Sequence, residues 1–530
     1  VLYAVAIFFA LFFLCILCRR ISFWRKGQRE DLRGNLLERL ELLISQQKRI
    51  LRDRYAGIMH LFMLLGMLVL FIGAFLHFLN HIFHFIRGDV FLSLDLSLDI
   101  FGLLLVIGLS AAIYRRFIIK RDKLETTWGD WLILGSLPVA TILGFIVEGL
   151  RLAILQPSYA SWSPIGYLFA IFFNSLGLGG NGGRLLHFIF WWSHVISVGA
   201  VVVIASYSNL LHVLFAPLNA FFNPLRPKET FKEPFNLMKK TEDEIAIEEE
   251  FSFGIERMKD FTWQQLLSID ACTYCGRCQN ACPAYQTGKP LSPKKIIQKL
   301  RPYIPKLEQN VLEIESKEEA LFCTTCGACI DECPIFINPV QMIVDIRRRL
   351  VYEGFQFDST TRAALVNMMN YYNPWKIPWI KRLDWAAGLG IAEIKMNKDV
   401  DVLYWVGCIV SFDTRAQEIA KSAVSILRKA GISFAILGGE EKCCGHFARR
   451  LGDEGLFQRL AIENIRMLKQ YDVKRVLTHC PHCFNTLKNE YPQFGGNFEV
   501  VHYTQLISDL IKEGKLQPSR EMPRSITLHD

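Results

Sequence analysis

The sequence predicts a multidomain chain with three folded parts: a bundle of five membrane-spanning helices, a small all-helical module, and an α/β domain on a parallel sheet. Three observations carry this. Five stretches within residues 1–220 are apolar over lengths that cross a bilayer. Eight cysteines between residues 272 and 333 fall in two runs of identical spacing. After residue 400, short β-branched stretches alternate with amphipathic ones, as in parallel strands joined by helices on both faces. A chain of 530 residues has room for about three domains. Aliphatic and aromatic residues make up 51% of it, in keeping with a membrane portion. The boundaries are expected at 1–220 for the membrane part, 221–265 for a linker, 266–350 for the helical module, 351–399 for a connector and 400–530 for the α/β domain.

The spans are expected near 1–18, 55–86, 97–119, 130–153 and 184–214. The first lacks a preceding basic region and a small-residue cleavage site, so it reads as a span and not a signal peptide. Cys15 and Cys18 within it read as packing residues. The loop from Arg19 to Arg54 carries eleven Lys or Arg, and that from Arg115 to Lys123 carries five, whereas 87–96 and 154–184 carry almost none. By the positive-inside rule the basic loops are cytoplasmic and the N-terminus is outside, and an odd number of spans delivers the rest of the chain to the cytoplasm. The net charge of +9 thus sits largely on membrane flanks and does not indicate nucleic-acid binding. Trp162–Phe173 is apolar but too short to span, and reads as an interfacial or re-entrant segment before the glycine-rich turn Gly177–Gly183.

Histidines inside spans are expensive and usually functional. His60, His77, His81 and His84 fall on the second stretch, and His187, His194 and His212 on the fifth. A haem b needs two neutral imidazoles from facing helices. His77 lies 17 residues, about 25 Å, beyond His60, and His194 lies 18 residues, about 27 Å, before His212. The pairs His60 with His212 and His77 with His194 therefore match in depth, one near each face of a core about 30 Å thick. This region resembles the membrane gamma subunit of respiratory nitrate reductase, a family with five spans and two b haems on its second and fifth spans. The 18-residue spacing on the fifth span follows that family. The second span departs from it, which leaves His81 or His84 as alternatives to His77.

The linker opens with Pro224 and Pro227 and runs into an acidic stretch, Glu242–Glu250, read as a solvated face. Phe261-Thr-Trp-Gln-Gln-Leu-Leu then leads into Cys272-x2-Cys275-x2-Cys278-x3-Cys282-Pro283, and Cys323-x2-Cys326-x2-Cys329-x3-Cys333-Pro334 repeats it. This is the spacing of two-cluster ferredoxins, in which three thiolates on one loop take three irons and the fourth cysteine serves the other cluster. One 4Fe-4S cubane is therefore expected on Cys272, Cys275, Cys278 and Cys333, the other on Cys323, Cys326, Cys329 and Cys282. Zinc is the competing ligand for a lone CxxC, but not for two full runs. Forty residues separate Cys282 from Cys323, with helical periodicity in Ile296, Ile297, Leu300, Ile304, Leu307 and Val311. That length suits an all-helical ferredoxin module similar to those of fumarate and heterodisulfide reductases.

The last domain carries Cys408-x34-Cys443-Cys444-Gly445-x34-Cys480-x2-Cys483. Strands are expected at Val400–Val406, Ser433–Leu437, Val473–Thr478, Phe498–His502 and Ser525–Leu528, with helices at Ala416–Ala430 and Leu456–Gln470. Each cysteine then follows a strand or opens a helix, at the sheet edge where α/β folds bind ligands. A zinc site is the bland alternative. The pattern resembles the cysteine-rich CCG domain of heterodisulfide reductases, and the resemblance implies a noncubane 4Fe-4S cluster on Cys408, Cys443, Cys444, Cys480 and Cys483. That family often has a second copy opening on an Asp-Pro-Cys-like turn, and the chain stops at Leu528-His529-Asp530, where such a turn would begin.

Thirteen of fifteen cysteines thus sit in cluster patterns, which suits a reducing cytoplasm. No Walker loop occurs. A literal GxGxxG at Gly177, Gly179 and Gly182 has no strand before it and is rejected as a dinucleotide site, and Gly438-Gly439 is a turn. Over nearly its whole length, including Phe261-Thr-Trp and Asp270-Ala-Cys272-Thr-x-Cys275-Gly-Arg-Cys278, the chain resembles the membrane iron-sulfur oxidoreductases that link electron-transfer flavoprotein to menaquinone. The resemblance implies an electron-transfer-flavoprotein:quinone oxidoreductase in the cytoplasmic (inner) membrane of a prokaryote, with two cubanes, one noncubane cluster, two b haems and quinone as substrate. A membrane-bound heterodisulfide or thiol reductase fed by quinol is the alternative enzyme, and an electron-wire subunit of a larger complex the alternative of another class. Arg115, Arg116 and Arg151 near span ends are candidate quinone contacts or topology anchors.

Overall fold

The computed structural model describes residues 2–32, 34–119, 127–225, 230–232 and 254–518, with 520, 523 and 525. The chain divides into two compact units. The first comprises Val1–Leu225, Arg257–Glu315 and Ala328–Pro339, the second Arg226–Glu256, Ser316–Gly327 and Val340–Asp530. Part of the basic loop after Ile119, the acidic run Glu242–Glu250 and, but for Ser525, the strand expected at Ser525–Leu528 lie outside the described residues.

In the first unit, helices α1 (Leu2–Trp24), α2 (Leu36–Ile50), α3 (Arg54–Phe83), α4 (Asp89–Ile113), α5 (Trp128–Leu155), α6 (Pro164–Ser175), α7 (Arg184–Tyr207) and α8 (His212–Phe221) follow in order. A π-turn carries α4 on to Ile118. Helices α1, α3, α4, α5 and α7 are long and apolar enough to cross a membrane, so the five-span bundle is present. Helices α3 and α4 pack closely because Gly66 removes a side chain where a Cβ would come within 2.7 Å of the Leu105 Cβ. Spans start at side-chain caps: Asp53 accepts from the Ala56 amide, and Thr127 and Asp130 form a capping box on α5.

Three span boundaries move from their expected places; the first helix runs to Trp24, not 18. Helix α4 begins at Asp89, not 97, and two of its aspartates, Asp95 and Asp99, are buried inside the protein. Asp99 accepts from the amides of Ile165 (2.6 Å) and Gly166 (3.1 Å), and so caps α6, the expected short apolar segment. The fifth span ends at Tyr207, not 214. Ser208 caps one 3-10 turn, and His212 opens the separate helix α8. His194 and His212 therefore lie on different helices, and the 27 Å helical separation between them does not hold.

The helical module continues the first unit. Helix α9 (Trp263–Ala271) starts at the Thr262–Gln265 capping box and ends at Cys272. Helices α10 (Arg277–Ala281), α11 (Pro293–Leu300) and α12 (Ala328–Glu332) frame the cysteine loops. The periodicity after Pro293 is broken at Leu300, where Pro302 lies in a 3-10 turn.

The second unit holds the α/β domain. Strands β1 (Val402–Trp405), β2 (Phe434–Ala435), β3 (Arg475–Thr478) and β4 (Glu499–His502) form one sheet in the order β2-β1-β3-β4, every pair parallel. Strand β1 feeds both cores by alternation. Leu403 and Trp405 join Phe457, Leu460 and Ile465 of the helix Glu454–Gln470, and Val402 and Tyr404 join Ala420, Val424 and Leu427 of the helix Thr414–Lys429. The expected strand–helix alternation is observed, with strands shorter than the apolar stretches that marked them.

Candidate metal centres

The first cysteine run wraps a cavity because its loop uses left-handed backbone twice. Tyr274 (φ 57°) and Gly276 (φ 77°) turn the chain between Cys272 and the start of α10, so that Cys272, Cys275 and Cys278 line one hollow together with Cys329 and Cys333. The second run repeats the turn at Thr325 (φ 56°) and Gly327 (φ 77°). Backbone amides point at the sulfurs: Ile337 N–H donates to Cys333 Sγ at 3.3 Å, and Thr325 N–H to Cys323 Sγ at 3.4 Å. Burial pushes the Cys272 thiol up to about 12 and the Cys333 thiol up to about 11. Such thiols lose their protons only to a cation, and soft thiolates with amide donors suit an iron–sulfur cluster. Cys282 and Cys329 are buried in the first unit; Cys323 and Cys326 belong to the second.

Arginines hold the carbonyls and carboxylate around that hollow. Arg277 donates to the carbonyls of Arg49 (2.8 Å) and Ile50 (3.0 Å), and Arg49 donates to those of Ile330 (3.2 Å) and Cys333 (2.8 Å). Buried Asp270 receives Arg20 Nη1 at 3.3 Å, Trp24 Nε1 at 3.2 Å and Arg301 Nε at 3.4 Å. Basic residues at the end of α1 and on α2, expected only to set topology, therefore also build the cysteine site.

At the same end of the bundle His60 and His212 face one another, ring centroids 6.5 Å apart. A metal about 2 Å from one nitrogen of each ring would place the centroids roughly 6.4 Å apart, so the spacing of this pair would suit a shared metal. His212 Nδ1 lies 2.7 Å from the Asn209 carbonyl, which leaves Nε2 as the nitrogen that would take a metal, and among the described residues His60 Nδ1 is buried without a hydrogen-bond partner. Arg301 joins this pair to the cysteine hollow: its Nη1 donates to Asn209 Oδ1 (2.7 Å) and to the Cys272 carbonyl (3.3 Å).

The other end is arranged differently. His194 Nδ1 lies 3.0 Å from the Ala140 carbonyl, beside Gly144, where a Cβ would stand 3.3 Å from the ring. His77 Nε2 lies 3.7 Å from Asp95 Oδ1, and its ring meets Phe91 edge-on. No ring contact joins His77 to His194 among the described residues. His84 caps α3 and returns to the Asn80 carbonyl; His81 lies in the last turn of α3. Sequence reasoning passed over Asp95, Asp99 and Glu148 here, although carboxylates within apolar spans were a visible signal.

The five C-terminal-domain cysteines come together at the carboxyl ends of β1 and β3. Gly407 (φ 77°) follows β1, and a Cβ there would lie 3.4 Å from Cys483 Sγ and 3.9 Å from the Cys480 Cβ. Cys444 and Cys483 sulfurs are 3.5 Å apart. Gly445 (φ 84°) turns the vicinal pair into the helix His446–Leu451 with Phe457 packed where a side chain would begin. Thiol hydrogen bonds, from Cys443 and then Cys483, hold Cys444 below the usual thiol range, and Cys483 does the same for Cys480. A buried pair, Arg382 and Glu441 (2.8 Å), frames the opening. Glu441 accepts from the amides of Val406 and Gly407, while Arg382 reaches Cys408 Sγ at 3.3 Å. Asn464 and Tyr491 hold the carbonyls of Cys443 and Cys444. Five converging thiols with a buried guanidinium fit a multi-iron cluster of net negative charge. The Arg382–Glu441 pair left no recognisable sequence signal.

Residues 268–337 match the model of the 4Fe-4S dicluster domain, and residues 402–488 that of the cysteine-rich CCG domain. The EtfAB:quinone oxidoreductase of Syntrophomonas wolfei is 34% identical, with 91% of this chain and 73% of that protein covered. The probable iron-sulfur-binding oxidoreductase FadF of Bacillus subtilis is 32% identical, with 98% and 80% covered. The dihydromethanophenazine:CoB–CoM heterodisulfide reductase of Methanosarcina barkeri has a subunit that is 34% identical over 51% of this chain and 70% of its own length. No solved structure matches.

Proposed function

Because the chain belongs to the family of membrane iron-sulfur oxidoreductases that includes the EtfAB:quinone oxidoreductase of Syntrophomonas wolfei and FadF, we propose that it carries electrons between a cytoplasmic electron-transfer flavoprotein and the membrane quinone pool. The observation that carries this reading is the convergence of Cys408, Cys443, Cys444, Cys480 and Cys483 at one sheet edge in a chain that also holds five spans. In this reading those five hold a noncubane cluster. Cys272, Cys275, Cys278 and Cys333 hold one cubane, Cys323, Cys326, Cys329 and Cys282 the other, and His60 with His212 and His77 with His194 hold two b haems. Bound there, these groups supply one-electron carriage between a two-electron flavin and a two-electron quinone. The chain's own residues orient and tune them. Arg382 sets a positive charge against Cys408, Asn209 fixes the tautomer of His212, and Arg301 braces Asn209 against the Cys272 loop. The basic loops support an inner-membrane location with the N-terminus outside and the soluble parts in the cytoplasm.

Cys444→Ala in the purified full-length protein tests the entry point. The expected variant keeps both cubanes and both haems, is reduced by dithionite, and is reduced by flavoprotein at least about a hundredfold more slowly than the parent, in line with loss of a well-oriented reaction partner. Parent-like reduction by flavoprotein places entry at a cubane. The match to a heterodisulfide reductase component supports a second reading, a thiol reductase fed by quinol. Quinol-dependent reduction of a heterodisulfide by the isolated chain distinguishes it.

A further inference from the structure

Three arginines near span ends invite a role at the membrane surface, and the structure separates them. Arg115 pairs with Asp53 (3.2 Å) at the cap of α3, and Arg116 with Asp130 (2.9 Å) at the cap of α5. Both tie helix ends together. Arg151 does something else: it lines a cavity of about 500 Å³ between the C-terminal end of α5 and the N-terminal end of α7. Helix α7 contributes Arg184, His187, Phe188 and Trp191, a stripe at i, i+3, i+4 and i+7 that puts all four on one face. This end of the bundle lies away from His212, since α5 and α7 run antiparallel, with Gly129 at the start of α5 beside Ser208 at the end of α7.

Donors predominate among the polar groups of this cavity. Guanidinium and indole N–H groups donate and never accept, and the His187 ring adds one donor and one acceptor nitrogen. The walls are flat aromatic rings. A matching ligand is a planar apolar ring that presents acceptors to the guanidinium and indole donors. The charge narrows it further. Glu148 holds Arg151 through both carboxylate oxygens (2.9 and 2.7 Å), so the charge of that guanidinium is largely balanced and it suits a neutral acceptor, while Arg184 adds a second guanidinium to the lining. The volume lies in the range of small-molecule sites. Outside the cavity, α7 exposes Leu185, Ile189 and Ile196, an apolar track along which a prenyl tail can lie in lipid.

We infer that this cavity binds the ring of a lipid-soluble quinone, with Arg151 and His187 donating to its carbonyl oxygens and Trp191 and Phe188 flanking the ring. The inference rests on the electron path proposed above for its electron source. In the net reaction, one quinone takes two electrons from that path and two protons from water at this end of the bundle, one proton on each oxygen, to leave the quinol.

The test uses the full-length holoprotein in detergent and a naphthoquinone carrying one isoprene unit. Binding is read by quenching of tryptophan fluorescence, independently of electron delivery, and turnover by the KM for the same quinone. Arg151→Gln and His187→Gln are each expected to weaken binding and raise KM about tenfold, as for loss of one hydrogen bond in a dry site, with kcat changed less and haem content equal to the parent's. Unchanged Kd and KM in both variants overturn the site. Loss of co-purifying phospholipid from Arg151→Gln with unchanged quinone binding makes it a lipid headgroup site and also overturns it. Loss of a haem from His187→Gln makes that residue a ligand instead, and likewise overturns the assignment. A parent that binds the naphthoquinone through Arg151 but is not reduced by flavoprotein defeats the electron-donor reading and upholds the site.

Discussion

The two ends of the helical bundle solve the placement of a buried histidine in opposite ways. At the end that carries the cysteine module, His60 and His212 meet ring to ring, with Asn209 and Arg301 running on to Cys272. At the far end, His77 turns to the Asp95 carboxylate, His194 to a backbone carbonyl, and Asp99 is spent on capping α6. The first end joins the histidine pair to the cysteine loop through Arg301. The second is a polar cluster around the short apolar helix α6, with an open cavity beside it. Depth along a helix identifies which histidines share a layer; it does not say what each ring faces, because carboxylates on a third helix compete for the same imidazoles.

The sharpest way to break this contrast is to remove one ligand from each end. His212→Ala is expected to lower haem from about two to about one per chain in a pyridine haemochrome assay, and to stop electron flow to quinone. His77→Ala is expected to remove the other haem and leave the first. If His77→Ala keeps both, the far-end ligand is His81 or His84, and the Asp95 contact is structural. A protein folded as the parent yet free of haem ends the haem assignment at both ends.

A smaller effect is expected at the junction itself. Arg301→Gln removes a positive charge that touches both the His212 support and the Cys272 carbonyl. The potential of the nearer cubane should fall by about 60 mV, a tenfold change in a one-electron equilibrium, because the more negative reduced state loses its counter-charge. Redox titration followed by low-temperature EPR reads this, and Arg301→Lys should recover most of it. An unshifted potential with slowed haem reduction would make Arg301 a spacer and not an electrostatic element. The smallest effect belongs to the far end: Asp99→Ala frees two α6 amides and should cost about 1 kcal/mol, seen as a Tm lower by a few degrees, with haem content unchanged.

Much of this protein was legible in its residues because the signals are short-range. Three cysteines at CxxCxxC spacing must lie on one tight loop, and Tyr274 and Gly276 take the left-handed turns that this loop needs. A stretch that is apolar over twenty residues spans a bilayer wherever it sits, and a parallel sheet follows from alternating strand and helix. The boundaries were less legible. Asp89 and Asp95 fall in the expected loop by hydropathy, yet they lie in α4, where Asp95 finds a partner in α3 that is remote in sequence.

The residues taken alone thus define the set of parts and the chemistry of their donors: soft thiolates in two loops and one scattered pattern, imidazoles in spans, basic loops on one side. Which donors meet is a matter of packing. Arg382 and Glu441, 59 residues apart, close on Cys408. Arg20 and Arg49 leave the membrane flank to hold Asp270 and the Cys333 loop, 250 and 284 residues away. Arg151 opens a cavity where Arg115 and Arg116 close helix ends. The reason is physical: a buried charge must find a partner, and it takes the one that packing brings near, whatever their separation along the chain.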